Sequence, residues 1–244
     1  MAFIALGACA CASRAGLDPG VARRLPGMQR AMSGAPDLDH GRVRVTRFRV
    51  DAPDGAWTDE VVSGAGLFAE RRVRSDGARY AFGEDAGGPW LRVGDGPVRA
   101  ATGAWLREER TRRALLGLRF LAPRRGDAAE LVTAVDTTWE YAFQPEGGRT
   151  LTFDVGGDDL PGAFDSFDDY GRIVACDDVR WSRDAVTSVL AHAQCSTSSG
   201  SYEYAAPPSS LRLLRTETRP WHDAPAWALA PVTRVPASRI EHAV

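Results

Sequence analysis

One stretch constrains the fold of this chain more than any other: Thr138 to Gly157, TWEYAFQPEGGRTLTFDVGG. Trp139, Tyr141 and Phe143 alternate with Glu140, Ala142 and Gln144, and after the intervening turn Leu151, Phe153 and Val155 alternate with Thr150, Thr152 and Asp154. Period two gives one packed face and one wet face, because successive side chains of a strand leave opposite sides of the pleat. Pro145-Glu146-Gly147-Gly148 suits a type I turn with Pro at its second position, followed by a glycine at positive φ. The segment predicts a β-hairpin.

Short strands are also predicted on either side of it. From Gly41, Val43 and Val45 fall on one face while Phe48 and Val50 fall on the other, which predicts a bulge or bend near Thr46 and Arg47. Glu60 to Gly64, Phe68 to Arg74, Ala78 to Gly83 and Pro89 to Val93 continue as a meander. A helix interrupts it over Ala104 to Leu116, where Glu108 with Arg112 and Glu109 with Arg113 have i,i+4 spacing with acids preceding bases. Thr102 is its expected N-cap and Gly117 its end, and Leu118 to Leu121 reads as a last turn or a short strand. Strands are expected again at Glu130 to Asp136, Arg172 to Trp181, Ala185 to Cys195 and Ser210 to Arg219.

The implied organisation is a signal remnant over residues 1–12, an arm or linker over 13–40, one β domain over 41–219 and an extended, proline-rich tail over 220–244. Met28 and Met32 mark no more than one amphipathic turn in the arm.

With 44% hydrophobic and 25% charged residues in 244, the chain can bury an ordinary core. The net charge of −2 leaves no basic excess for a phosphate backbone, so nucleic acid is not an expected partner. All the basic residues are Arg and none is Lys, which matches GC-rich coding. No stretch approaches the ~20 apolar residues of a membrane helix.

The cysteines form two pairs. MAFIALGACACAS resembles the end of a secretory signal cut after Ala12, although it lacks a basic n-region. Leu6-Gly7-Ala8-Cys9 reads alternatively as a lipoprotein signal that would leave Cys9 lipidated, and a mis-chosen start is a third reading. In an exported chain, a reversal near Ser182 to Val186 would set Cys176 opposite Cys195 for a disulfide worth roughly 3 kcal/mol. Two buried free thiols are the other reading.

No reaction is indicated by the residues themselves. Asp158, Asp159, Asp165, Asp168, Asp169 and Asp177 crowd the region from Asp154 to Asp178, but without the spacing of a calcium loop. A solvated loop with Phe164, Phe167 and Tyr170 as anchors fits better, with a hydrolase built on paired carboxylates as the alternative. Asp136-Thr137-Thr138 lacks the glycine of an aspartic protease turn. The four histidines are scattered, and His192 beside Ser188 and Asp184 reads as a strand residue, so neither metal nor cofactor is expected. Of seven tryptophans, five lie in the strand-rich body, where they serve either as core or as cavity wall.

The order of these features carries a resemblance. Y-x-F-x-P-x-G-G-x-x-L-x-F-D at Tyr141 to Asp154, with GPWLRVGDGPVRAATGAW at Gly88 to Trp105 before it and DDYGRIVACDDVRW at Asp168 to Trp181 after it, is similar to bacterial LolA-type lipoprotein carriers. It spans roughly Gly41 to Cys195. Some related periplasmic domains precede an aspartyl protease domain, which this sequence does not show. The resemblance implies a mainly β fold with one or two helices: a curved antiparallel sheet forming an incomplete barrel, a helix on its concave side and an apolar cavity for acyl chains. It implies a non-enzymatic periplasmic or envelope protein without cofactor, a monomer whose partners are lipid or lipoprotein acyl chains and whose membrane contact is peripheral or through an anchor. Trp105, Tyr141, Phe143, Leu151 and Phe153 are the residues expected near the cavity. A structural domain of an exported assembly is the remaining alternative.

Overall fold

The hairpin forms as predicted, with Phe143 opposite Leu151, Tyr141 opposite Phe153 and Trp139 opposite Val155. Its turn differs in one respect. Gly148 N–H donates to Pro145 O (2.8 Å), so Pro145 is the first residue of the turn and not the second, and Gly147 at φ 67° reverses the chain. These details come from a computed structural model that describes residues 17–32, 41–64, 67–74, 76–77, 79–85, 88–167, 172–183, 188–199 and 209–229.

The strands are β1 (Arg42–Ala52), β2 (Gly55–Gly64), β3 (Leu67–Arg74), β4 (Arg79–Asp85), β5 (Gly88–Val93), β6 (Arg99–Ala100) and β7 (Ala128–Val135). The hairpin supplies β8 (Thr138–Gln144) and β9 (Leu151–Val155), followed by β10 (Pro161–Phe167), β11 (Arg172–Arg183), β12 (Ser188–Ser199) and β13 (Ser209–Pro220). Two helices, α1 (Pro19–Ala31) and α2 (Gly103–Leu116), complete the fold with short 3-10 turns at Arg119–Leu121 and Trp221–Asp223.

All thirteen strands share one antiparallel sheet in the order β6-β5-β4-β3-β2-β1-β13-β12-β11-β10-β9-β8-β7. Two meanders are thus joined through β1 and β13. The chain passes from one edge strand, β6, to the other, β7, by way of α2. Laid flat, thirteen strands would span about 58 Å, whereas a 14-residue helix is about 21 Å long. The sheet curls: Phe48 and Phe68 from one half share a core cluster with Tyr141 and Phe164 from the other. Its edges do not pair with each other, so the barrel is incomplete and α2 crosses its concave side.

The sheet is packed on both faces in its first half. Val43, Val45, Val62 and Trp90 form a second cluster on the convex face. This gives the apparent change of side in β1 its physical basis, since its two faces feed two cores. The bulge expected in β1 lies instead in its neighbour: β1 keeps unbroken register with β2, and the shift between Arg47 and Phe48 in the pairing with β13 leaves Leu214 of β13 without a strand partner and exposed.

Three segments read as irregular are ordered. The acidic region expected as a solvated loop contains β10, which pairs with β9 and β11 and buries Phe164 in the concave core. Within the supposed arm, α1 begins at Asp18, whose Oδ1 accepts from Gly20 N–H (2.7 Å) and Val21 N–H (3.2 Å), with Pro19 at the first helical position. Val21, Leu25, Met28 and Met32 lie on one helical stripe and are fully buried in the concave core. That burial overrides the poor helix propensity of Gly20, Pro26 and Gly27. The glycines serve close approach, because a Cβ on Gly20 would sit 2.6 Å from Leu131 Cδ2 and one on Gly27 2.4 Å from Asp159 Oδ2. At the other end, residues 221–229 do not run on as an extended tail. Ala224 and Ala228 pack into the convex cluster, and Trp227 Nε1–H donates to Glu60 Oε1 (2.8 Å) under the Arg71 guanidinium.

Helix α2 matches its prediction in extent but not in its ties. Thr102 is the N-cap residue without a side-chain cap bond, and in place of the expected i,i+4 ion pairs Arg112 and Arg113 bind the sheet and Glu108 binds Arg149 after the hairpin turn. Leu118, at φ 56°, ends the helix ahead of the 3-10 turn.

A cavity beneath α2 as the candidate site

The face that α2 turns to the sheet is unusual for a packed helix: its buried residues are Glu109, Thr111 and Ala114. Leu115 and Leu116 lie over a cavity of about 280 Å³ between helix and sheet. Across it, Leu151, Phe164, Leu190 and Leu211 supply an apolar wall. Cys176 and Cys195, direct partners in the β11–β12 register, are joined by a disulfide in that wall, with Cα atoms 4.0 Å apart.

The other end of the cavity is ionic. Asp59 and Glu70 are wholly buried on the concave faces of β2 and β3. Arg112 of α2 grips Glu70 through two bonds of 2.7 Å and reaches Asp59 Oδ2 at 3.2 Å. Arg72 pairs with Asp59 (2.7 and 3.2 Å) and Glu70 (3.3 Å) and donates to Tyr80 Oη (2.8 Å). Burial opposes the Arg112 charge, yet the Glu70 and Asp59 carboxylates outweigh it and raise its pKa. Burial raises the Glu70 carboxyl against the pull of Arg112. Further along, Arg149 binds Glu108 (2.5 Å), and Arg149 N–H donates to Thr111 Oγ1 (2.9 Å), fastening α2 to the hairpin turn. The three guanidiniums of Arg72, Arg112 and Arg149 are thereby matched by three carboxylates.

Glu109 stands apart. It is 1% exposed, and neither carboxylate oxygen has a hydrogen-bond partner. Burial, reinforced by the Glu84 charge, pushes its pKa up to about 7 against Arg113 and Arg110.

The five residues expected at a cavity separate into three places. Leu151 lines it. Tyr141, Phe143 and Phe153 are close-packed in the concave core, where Tyr141 Oη–H donates to Phe120 O (2.8 Å) and burial raises the phenol pKa. Trp105 is 48% exposed and borders a separate surface groove of about 580 Å³ with Leu91, Val93 and Pro97, its ring edge-on to Tyr80. Cys9 lies outside the described residues, as do Asp168 and Asp169. Of the acidic region, Asp154 and Asp165 alternate with Phe153 and Phe164 and so face away from the core, on the side opposite the cavity. Burial, with Asp154 nearby, raises the Asp165 pKa. His192 Nε2 contacts Asp178 Oδ2 (3.3 Å) at the surface. Among the described residues no three His, Cys, Asp or Glu side chains gather as a metal site.

Trp57 is one of the five tryptophans read as core or cavity wall, and it lines the cavity, whereas Asp59, Glu70 and Arg72 were not singled out from the sequence as site residues. Their signal was there: Trp57, Asp59 and Val61 share one face of a strand, as do Phe68, Glu70 and Arg72, so period two places acids among buried apolar residues.

Comparison of the sequence with family models and with curated proteins finds no match. Solved structures do match in shape. A LolA superfamily protein from Nitrosomonas europaea is similar over 82% of this chain and 93% of its own, with a TM-score of 0.51 and 11% identity. The fold is LolA-like. A DUF1329 family protein from Desulfovibrio piger is similar over 81% of this chain and 92% of its own, with a TM-score of 0.50 and 12% identity. In this LolA-like fold no helix among the described residues is long and apolar enough to cross a membrane.

Proposed function

We propose that this chain is a non-enzymatic, exported binding domain that takes the acyl chain of a lipid or lipoprotein into the cavity beneath α2. The observation that carries the reading is the placement of Leu115 and Leu116 over an apolar hollow, opposite Leu151, Phe164 and Leu190. At about 280 Å³ the hollow lies near the low end of ligand pockets, roughly 300–1,000 Å³. An acyl segment entering it leaves water at about 0.8 kcal/mol per methylene, which supplies affinity without any reaction. In this reading the folded unit extends beyond the β domain over 41–219, since α1 and residues 221–229 pack into its two cores.

Helix α2 is the gate of this carrier. Its attachments are mostly polar, through Arg112, Arg113 and Glu108, and polar ties exchange for water more readily than a filled apolar stripe such as that of α1. Trp105 and the groove beside it form the outer approach, and Tyr141, Phe143 and Phe153 form the rigid bed beneath Leu151. The disulfide agrees with an oxidising compartment outside the cytoplasm. Cys9, if lipidated, tethers a monomer to the membrane surface. The sequence resemblance to lipoprotein carriers supports the same cargo.

Native mass spectrometry of the protein purified from its own cell envelope tests the reading. An adduct of lipid or acylated peptide, lost on mild activation, is expected. Recovery of only ligand-free protein would overturn the proposal.

A further inference from the structure

We infer that the polar end of the cavity recognises an uncharged acyl ester carbonyl rather than a carboxylate or a phosphate, with the Trp57 indole N–H as its donor. The inference rests on the acyl-chain reading above. Trp57 and Ser166 both line the cavity, and Trp57 Nε1 and Ser166 Oγ are buried without a hydrogen-bond partner. They are the two buried, unpartnered side-chain polar atoms in its lining. An indole N–H only donates, so the group it awaits is an acceptor. Left unmade, such a bond costs free energy that a ligand oxygen recovers.

The Trp57 ring is fixed in place. The Arg72 guanidinium carbon lies 4.8 Å from its centroid and that of Arg74 lies 6.0 Å away, and Arg72 is itself held by Asp59, Glu70 and Tyr80. A donor held this firmly loses little freedom when it binds. Charge selects against an anion at the same point. Arg72, Arg112 and Arg149 are already paired with Asp59, Glu70 and Glu108, so a carboxylate or phosphate must displace one of these partners to gain a guanidinium of its own. A neutral carbonyl loses far less on leaving water. An O-acyl ester, of the kind found both in diacyl phosphoglycerides and in diacylglyceryl cysteine, supplies such a neutral carbonyl at the end of an acyl chain.

Displacement of bound 1-aminoanthracene from the wild type, Trp57→Phe and Ser166→Ala tests this, with methyl laurate, laurate and dodecane as competitors. Methyl laurate is expected to compete better than laurate or dodecane. Trp57→Phe is expected to weaken methyl laurate about fivefold to tenfold and to leave dodecane unchanged. A diacyl phosphoglyceride and a diacylglyceryl-cysteine peptide, run alongside, identify the ester source, and whichever competes must lose strength in Trp57→Phe. Methyl laurate and dodecane competing alike, or a Trp57→Phe that weakens both equally, overturns the ester inference and leaves the cavity reading standing. If no competitor binds, the cavity reading fails and this inference falls with it. Thermal unfolding of each variant separates lost binding from lost folding.

Discussion

Glu109 is the residue whose environment makes the sharpest claim. Its carboxyl titrates near 7 in the folded protein, above the roughly 4.3 of an exposed Glu, so folding favours the protonated form. The stability it contributes is complete below about pH 4, falls as pH rises toward 7, and is flat above that. Glu109→Gln should therefore gain on the wild type between pH 5 and 8, ending about 3 kcal/mol more stable at pH 8 by chemical denaturation. Parallel pH profiles for the two proteins would contradict the burial of an unpartnered acid. Arg112 makes the opposite case. Arg112→Ala leaves Glu70 and Asp59 buried against Arg72 alone and should cost about 3–5 kcal/mol. Arg112→Leu combined with Glu70→Leu should recover most of that loss, and a double-mutant cycle measures how much.

At the scale of elements, the hairpin was legible because strict alternation and a Pro-Glu-Gly-Gly turn leave few alternatives for Trp139 to Val155. The extent of α2 was legible for a related reason, since Thr102, the charged i,i+4 pairs and Gly117 bracket it. What could not be read was where its charges go: Arg112 and Glu108 find partners 40 or more positions away, on β3 and after the hairpin turn. Helix α1 was missed because Gly20, Pro26 and Gly27 mask a stripe that only the concave core completes. Its local signals were the Asp18-Pro19 start and the Met28-Met32 spacing. The cavity was less legible still, because it is the gap left where α2 crosses a curled sheet, and only Leu151 of the five expected residues borders it. The cysteine pair was open from sequence and is settled by register, with Cys176 directly opposite Cys195. Replacing both by Ala should lower stability by about 3 kcal/mol for a loop of this size, read as a drop in the denaturation midpoint that added reductant does not extend.

Taken whole, the molecule is a sheet that cannot close, with its edges linked by a helix that covers a hollow instead of filling it. The convex face of the first half is covered by residues 221–229, and the concave face is covered at one end by α1, which leaves α2 as the cover with space beneath it. Such an architecture fits a carrier, where cargo enters and leaves without chemistry. The central claim is that the hollow beneath α2 is where an acyl chain sits. Ala193 is buried in its wall, and Ala193→Phe would fill the space with a ring. The decisive measurement is the affinity of the wild type and Ala193→Phe for methyl laurate, by dye displacement, with thermal unfolding as the control for folding. The account predicts binding of one chain per protein and a loss of at least roughly tenfold in the variant, the equivalent of excluding about two methylenes. Equal affinity in the two folded proteins would place the ligand elsewhere and contradict it.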